Sequence, residues 1–339
     1  MARLFGLQWH LTNECDQRCQ HCYIWQKHDK ENLNYTPTIK QCATIIENFV
    51  SFCDEMGVSP YFSITGGDPL LYSSIWDVLE ILHQKKIGFT ILGNPFHLNE
   101  EVAAKLKKLG CLRYQMSLDG LKDTHDSLRK TGSFQSTLEA LPILHKAGIR
   151  SMIMATVSLL NYKELPAVAK ICAEHEVGNF AFSRYCPTHS DVEYNMPPQL
   201  YRQFLADMWK TYQELINGKT NFSLKDHLWV AFLYEEGLYK LCDEKDVILD
   251  GCNCAIKHMT LLPNGTVYAC RRFDSIVGKI GEKTFKDIFL SQEMEEYRKF
   301  DKIEGCKDCE LLNYCRGCHA VAAGFSGDFF KKDPQCWRC

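Results

Sequence analysis

From Leu4 to about Tyr185, short β-branched or aromatic runs alternate with helix-length amphipathic segments, and that alternation limits the fold more than any other feature of the chain. The runs are Phe5 to Thr12, Tyr61 to Thr65, Phe89 to Leu92, Tyr114 to Leu118, Ser151 to Val157 and Asn179 to Tyr185. Helices fit between them. In the first, Thr36 can cap with Pro37 at the opening position, apolar side chains recur at Ile39, Ile45, Ile46, Phe49 and Val50, and Gly57 can stop it. Before Leu165, Asn161-Tyr162-Lys163-Glu164 has the form of a capping box, with Asn in place of Ser or Thr. Six β-α units of this kind predict an α/β fold, a parallel sheet curled into a partial (β/α)6 TIM-like barrel with reactive groups at the carboxyl ends of its strands.

Beyond the barrel, Pro197 to Asn217 and Leu224 to Leu241 read as helices, the second a bridge. After Asp250 the composition changes. Met259 to Leu262 and Thr266 to Cys270 flank Pro263-Asn264-Gly265, a hairpin turn because Asn-Gly tolerates positive φ. A helix near Thr284 to Lys299 leads into a cysteine-rich coil. The expected domains are therefore a barrel over 1–220, a helical bridge over 221–249 and a cysteine-rich module over 250–339.

With 339 residues, 45% of them hydrophobic, the chain can bury one large core or two moderate ones. A formal net charge of -3 gives no general basic field for nucleic acid or anionic lipid. Met1-Ala2-Arg3-Leu4-Phe5-Gly6-Leu7 runs into polar Gln8 without the features of a signal peptide, and no stretch reaches the length needed to span a bilayer. The expectation is a cytoplasmic protein without nucleic-acid or membrane partners, in which cysteines stay reduced and bind metal or act in catalysis. Nine of the 18 cysteines lie between Cys252 and Cys339, so the module there is expected to depend on metal for its fold.

Cys15, Cys19 and Cys22 stand in a Cys-x3-Cys-x2-Cys array immediately after the first predicted strand. Three thiolates there hold a four-iron cluster by three corners and leave one iron open, and an open metal position usually means catalysis. Cys42, Cys53 and Cys172 fall instead on the apolar faces of predicted helices and read as small core residues.

With His21 before the last cysteine of the array, and Gly66-Gly67-Asp68-Pro69 after the second strand, the sequence resembles the radical S-adenosylmethionine superfamily. The resemblance implies that the open iron chelates the amino and carboxylate groups of S-adenosylmethionine, and that an electron from the reduced cluster splits the sulfonium to give a 5'-deoxyadenosyl radical. It places Gly66, Gly67, Asp68, Ser117, Asp119, Arg129 and His21 around that cofactor. Asp68 stands where the family usually has Glu. Ser117 would contact the ribose or nearby polar atoms, Arg129 would pair with the carboxylate through its planar donors, and Asp119 either holds the ribose or caps its loop.

Gly265-x4-Cys270 followed by Cys306-x2-Cys309-x5-Cys315-x2-Cys318-x17-Cys336 resembles the SPASM domain, an iron-sulfur extension of radical enzymes that modify peptides and proteins. The ligation pattern this implies gives one auxiliary 4Fe-4S cluster to Cys252, Cys254, Cys270 and Cys318, and a second to Cys306, Cys309, Cys315 and Cys336. Cys315 to Cys318 is one residue shorter than the usual gap and Cys252-x-Cys254 is tight, which leaves open that one of that pair is spare. Cys242 and Cys339 have no assigned role. The competing reading of the tail is a zinc-ribbon-like module.

The resemblance implies a peptide maturase that abstracts hydrogen from a ribosomally made, cysteine-containing precursor peptide and forms a thioether or other cross-link, with flavodoxin or ferredoxin as electron donor. Phe5 to Thr12 with Cys15-Asp16-Gln17-Arg18-Cys19 also resembles maturases associated with Ala-Cys-Gly-x repeat peptides. Formylglycine formation, as in anaerobic sulfatase maturation, is the same-scaffold alternative. It is disfavoured because Arg271, where those enzymes carry an acidic base, cannot accept a proton. Arg271 and Arg272 either attract an acidic leader peptide or form a solvated turn. Cys186, after the last barrel strand, is a candidate thiol donor or cluster ligand, against a buried structural thiol. A non-enzymatic iron-sulfur scaffold is the remaining alternative.

Overall fold

The computed structural model describes residues 3–26, 35–188, 190–242 and 247–338. The chain opens with β1 (Leu4–His10), α1 (Tyr23–Gln26), α2 (Ile39–Glu55), β2 (Ser59–Thr65), α3 (Ile75–Gln84), β3 (Phe89–Leu92), α4 (Glu100–Lys108) and β4 (Cys111–Ser117). It continues through α5 (Lys122–Leu128), α6 (Ser133–Ala147), β5 (Arg150–Val157), α7 (Leu165–Glu174), β6 (Asn179–Arg184), α8 (Pro198–Leu215), β7 (Asn221–Phe222) and α9 (Leu228–Glu235). The last third holds β8 (His258–Leu261), β9 (Thr266–Tyr268), β10 (Ile276–Lys279), α10 (Phe285–Phe289), α11 (Gln292–Glu296) and α12 (His319–Ser326). All six expected barrel strands are present, each within three residues of the predicted ends.

Two compact units emerge, and neither follows chain order. The first comprises Met1–Ser117, His125–Met152 and Cys254–Arg298, and the second Leu118–Thr124, Ile153–Asn253 and Lys299–Cys339. In the first, the strand order is β10-β9-β8-β1-β2-β3-β4. β1 pairs in parallel with β2, β2 with β3, and β3 with β4, as the β/α repeat of a partial barrel requires. On its other side β1 takes β8, also in parallel, and β8, β9 and β10 then run antiparallel. In the second unit β6 pairs in parallel with β7.

Within β1, Phe5, Leu7 and Trp9 are buried while Gly6 and Gln8 are half-exposed, the period of two that a strand buried on one face imposes. Phe5 meets Phe52 of α2 and Phe289 of α10 edge-on at 5.0 and 5.3 Å, and Phe49 meets Phe285 at 5.2 Å. Each such pair is worth about 0.5–1.5 kcal/mol beyond its burial, so this aromatic cluster fastens residues 285–289 to the first barrel helix.

Some local expectations are corrected. Helix α2 is capped by Thr38, not Thr36, in a full capping box with Gln41, because Gln41 alone stands three residues after a hydroxyl and can return the bond. Its buried stripe is Cys42, Ile45, Ile46, Phe49, Phe52 and Cys53, whereas Ile39 is exposed. Asn161 forms no capping box. Its amide donates to the carbonyls of Asp119 and Thr156 and its oxygen accepts from Ser158 N, while Glu164 turns to Leu121 N and Thr124 Oγ1.

The bridge helix is only Leu228–Glu235, since Asp226 accepts from Leu228 N at 3.0 Å at its start and Gly237, at φ 69°, closes its end. Thr284 to Lys299 is not one helix. Ser291 ends the first turn and caps a second by accepting from Met294 N, giving α10 and α11. The tail is also not all coil, because α12 forms within it.

Candidate cluster and cofactor site

The first unit places Cys15, Cys19 and Cys22 on the loop after β1, all three half-buried. Two seams hold that loop. At the β2 end, Gly67 N donates to Thr12 O at 2.8 Å and Asp68 N to Glu14 O at 2.7 Å. A Cβ on Gly66 would stand 2.2 Å from Thr12 O, and one on Gly67 2.0 Å from Glu14 O, so no side chain fits at either position. The glycine pair thus serves first to bring the backbone after β2 against the cysteine loop. At the helical end, Gln20 N donates to Leu128 O, Gln20 Nε2 to Ser127 O, and buried Gln17 Nε2 to Ser133 Oγ, which also bonds His125 Nε2.

Within the loop, Gln17 N donates to Cys15 Sγ at 3.4 Å, and Arg129 Nη1 lies 3.8 Å from Cys19 Sγ. Arg129 Nη2 stands 3.4 Å from His21 Nε2. The structure therefore gathers Cys19, His21 and Arg129 at one place. Burial pushes the Cys15 thiol up to about 11, helped by the charges of Asp68, Cys19 and Asp16 and opposed by the Gln17 amide. A thiol so raised keeps its proton at neutral pH unless a metal replaces it.

Asp68 is fully buried and occupied by backbone: its carboxylate accepts from Leu70 N at 2.9 Å and from Asn94 N at 3.3 Å. Burial lifts it to about 6 despite those bonds. Its carboxylate thus ties the turn after β2 to the residues after β3. Nearby Asp16 accepts from Asn94 Nδ2 at 2.7 Å and pairs with Lys130 at 3.3 Å. Burial alone would raise Asp16, but the Asn94 and Lys130 bonds hold it below the usual carboxylate range.

Ser117 closes β4 in the first unit. Asp119 lies in the second, wholly buried, its Oδ1 accepting from Thr156 N at 2.8 Å, the geometry of a loop cap. Cys186, two residues past β6, is half-buried, and the next residue presses on α12, where a Cβ on Gly324 would be 2.1 Å from Pro187 O. Arg271 is buried, its guanidinium 5.2 Å from the ring of Tyr23 and 5.3 Å from that of Tyr268. That burial departs from the solvated turn that was one expectation for Arg271 and Arg272. Burial, then the Arg271 charge, pull His10 well below its ordinary value.

None of the 17 described cysteines is in a disulfide, Cys42, Cys53 and Cys172 are core thiols, and Cys339 lies outside the described residues. In the second unit Cys306 and Cys336 each fall within electrostatic range of Cys315, and Cys309 lies beside Arg338. Cys252 and Cys318 share His227, a residue the sequence reading missed; burial would lower its pKa, but a hydrogen bond to Cys252 and the two thiol charges raise it. In the first unit Cys254 and Cys270 both reach Tyr297. Exposed Cys242 stands apart, with its backbone N–H on Tyr314 Oη at 2.9 Å.

Beneath these cysteines lies a buried ionic network, equally invisible in the motifs. Arg184, at the end of β6, gives Nε to Asp226 at 2.8 Å and Nη1 to Asp333 at 2.7 Å, over the ring of Tyr201. Asp333 Oδ2 in turn accepts from Cys318 N at 2.8 Å, and Asp333 O accepts from Cys336 N at 3.0 Å.

A three-thiol loop at the carboxyl end of the first parallel strand, with no room for side chains at the facing glycines, is the arrangement that the resemblance to iron-sulfur enzymes working with S-adenosylmethionine implies. The chain carries a radical SAM superfamily domain, matching residues 9–172, and a SPASM iron-sulfur cluster-binding domain, matching residues 252–310. Its cofactors are 4Fe-4S clusters and S-adenosylmethionine.

Among similar proteins, AdoMet-dependent heme synthase of Methanosarcina barkeri is 24% identical, over 97% of this chain and 95% of its own. Mycofactocin maturase MftC of Mycolicibacterium smegmatis is 27% identical over 97% of this chain and 82% of its own. The crystal structure of Streptococcus suis SuiB bound to precursor peptide SuiA shares the fold with a TM-score of 0.75 at 20% identity, covering 100% of this chain and 76% of that one.

Proposed function

We propose that this enzyme is a peptide maturase acting on a ribosomally made, cysteine-containing precursor, and that it joins a cysteine sulfur to carbon or forms another cross-link. The bound cofactors would supply hydrogen abstraction from an unactivated carbon. The chain's own residues bind and orient: Cys15, Cys19 and Cys22 as cluster ligands, Arg129 and His21 beside them for the cofactor's carboxylate end, and Gly66 and Gly67 keeping the facing backbone close. Cys252, Cys254, Cys270 and Cys318, and Cys306, Cys309, Cys315 and Cys336, would hold auxiliary clusters that accept the surplus electron, with flavodoxin or ferredoxin as the outside donor and the cytoplasm as the setting. Cys186 is the proposed thiol facing substrate.

The observation that carries this reading is the joining of the three-cysteine barrel loop to a SPASM tail, an arrangement also matched along 97% of the chain by a peptide-maturase relative, MftC. A porphyrin substrate is the second reading, favoured by the match to heme synthases over the same 97%. The test is co-expression with the short open reading frame beside this gene, followed by mass measurement of the peptide. Loss of two hydrogens supports cross-linking and an unchanged mass points to epimerisation. Haem formed from an added iron porphyrin, with the peptide untouched, would replace the first reading by the second. No helix among the described residues is long and apolar enough to cross a membrane.

A further inference from the structure

The short gap between Cys315 and Cys318 is spanned by two residues in left-handed conformation, Arg316 at φ 62° and Gly317 at φ 62°. Glycine takes that conformation freely, but arginine does not, so something must hold Arg316 there. Its side chain does so. Only 3% exposed, it sends Nη1 to Leu312 O at 3.1 Å and Nη2 to both Asp250 O at 2.7 Å and Cys252 O at 3.0 Å, with its guanidinium 5.0 Å from the Phe300 ring. The segment it grips is already pressed on the other cysteine strand, since a Cβ on Gly251 would be 2.5 Å from Cys315 O. Arg316 therefore clamps the Cys252 segment to the Cys315–Cys318 turn.

Three of its donor bonds go to carbonyls, yet its buried Nε has no acceptor among the described protein atoms. A buried cation with a spare donor is costly unless anionic groups face it. Cys252, Cys315 and Cys306, drawn from both proposed ligand sets, lie within electrostatic range of this guanidinium, together with the Asp250 carboxylate. Cluster ligation would make those sulfurs anionic and add their charge to that of this one carboxylate. No aspartate or glutamate side chain bonds to it among the described residues.

We propose that Arg316 is a positioning and electrostatic residue of the auxiliary iron-sulfur site, whose buried charge raises the reduction potential of the cluster beside it. The assignment rests on the tail cysteines holding clusters, which the iron and sulfide content of the wild-type protein tests separately. Adding an electron to a cluster adds negative charge, and a cation held nearby in a poorly solvated setting favours that reduced state.

The experiment is an anaerobic redox titration of the full-length, cluster-loaded protein, followed by electron paramagnetic resonance, for wild type, Arg316→Gln and Arg316→Lys. Gln removes the charge, whereas Lys keeps it and gives up the guanidinium fork. The expected result is an auxiliary-cluster signal that titrates at a more negative potential in Arg316→Gln and close to wild type in Arg316→Lys, the Cys15–Cys22 cluster being unmoved in both. Should Arg316→Gln lose iron, retention of iron and of the wild-type potential by Arg316→Lys still supports the charge. An unshifted auxiliary potential in an iron-replete Arg316→Gln protein overturns the proposal, and so does equal loss of iron from both variants, which would make Arg316 a structural clamp alone.

Discussion

Replacing Arg184 by Met should destabilise the second unit strongly. Arg184 is wholly buried, and its partners Asp226 and Asp333 are 5% and 2% exposed, so the substitution strands two carboxylates in a poorly solvated interior. Breaking a buried ion pair by removing one partner costs about 3–5 kcal/mol. Neighbouring N–H groups temper the loss: Asp226 keeps Leu228 N, and Asp333 keeps Cys318 N and Gln335 N. The unit has about 150 residues, for which each kcal/mol moves the melting temperature by about 2–4 °C. A fall of about 6–20 °C is therefore expected in anaerobic thermal unfolding of the cluster-loaded protein, read by near-ultraviolet circular dichroism.

Asp333→Asn should cost less, because Arg184 retains Asp226. The pH dependence has a defined sign. Burial would raise Asp226, but Arg184, with His227 and the Leu228 N–H, more than reverses this and holds its pKa low, so its stabilisation is present above the unfolded carboxylate value and is lost as pH falls through the folded one. A melting temperature for Arg184→Met within 2 °C of wild type, roughly 1 kcal/mol or less, would refute the reasoning.

Gly67→Ala would put a methyl 2.0 Å from Glu14 O and force the two loops apart; about 1–3 kcal/mol of strain and roughly tenfold or weaker S-adenosylmethionine binding are expected, and unaltered affinity by calorimetry would count against the seam. Substituting Cys15, Cys19 and Cys22 together by Ala should abolish release of 5'-deoxyadenosine while leaving the tail's iron in place, and persistent release would show the cofactor site to be elsewhere. Burial lifts Asp68 to about 6, whereas the unfolded chain titrates near 4. Its contribution thus favours the fold below pH about 4 and is lost as pH rises through about 6, worth about 3 kcal/mol across the window. A carboxyl carbon resonance absent from Asp68→Asn and titrating near pH 4 in the wild type would contradict that burial.

Local pattern was enough for much of this protein. The six strand runs, the Asn264-Gly265 turn and the core placement of Cys42, Cys53 and Cys172 all follow from periodicity and turn chemistry, because those forces act between residues close in the chain. Resemblance to radical enzymes rested on short-range signals too: three cysteines on one loop, and two glycines after the next strand. Helix ends were less legible. Thr36 and Thr38 are equally good caps by type, and only the return bond from Gln41 selects between them.

Sequence alone determined the repeat of parallel strands and helices, the loop that carries three thiols, and the cysteine-rich tail, since each depends on spacing within a few turns of chain. Tertiary structure decided that β8 would lie against β1, that Asp333 would support both Arg184 and the cysteines of the tail, and that Arg271 would be buried between two rings. Those outcomes depend on desolvation and on pairings such as β1 with β8, Arg184 with Asp333 and Arg271 with Tyr23, each of residues more than a hundred positions apart. Charge and shape settle such pairings only when the chain is folded, so no local window of sequence contains them.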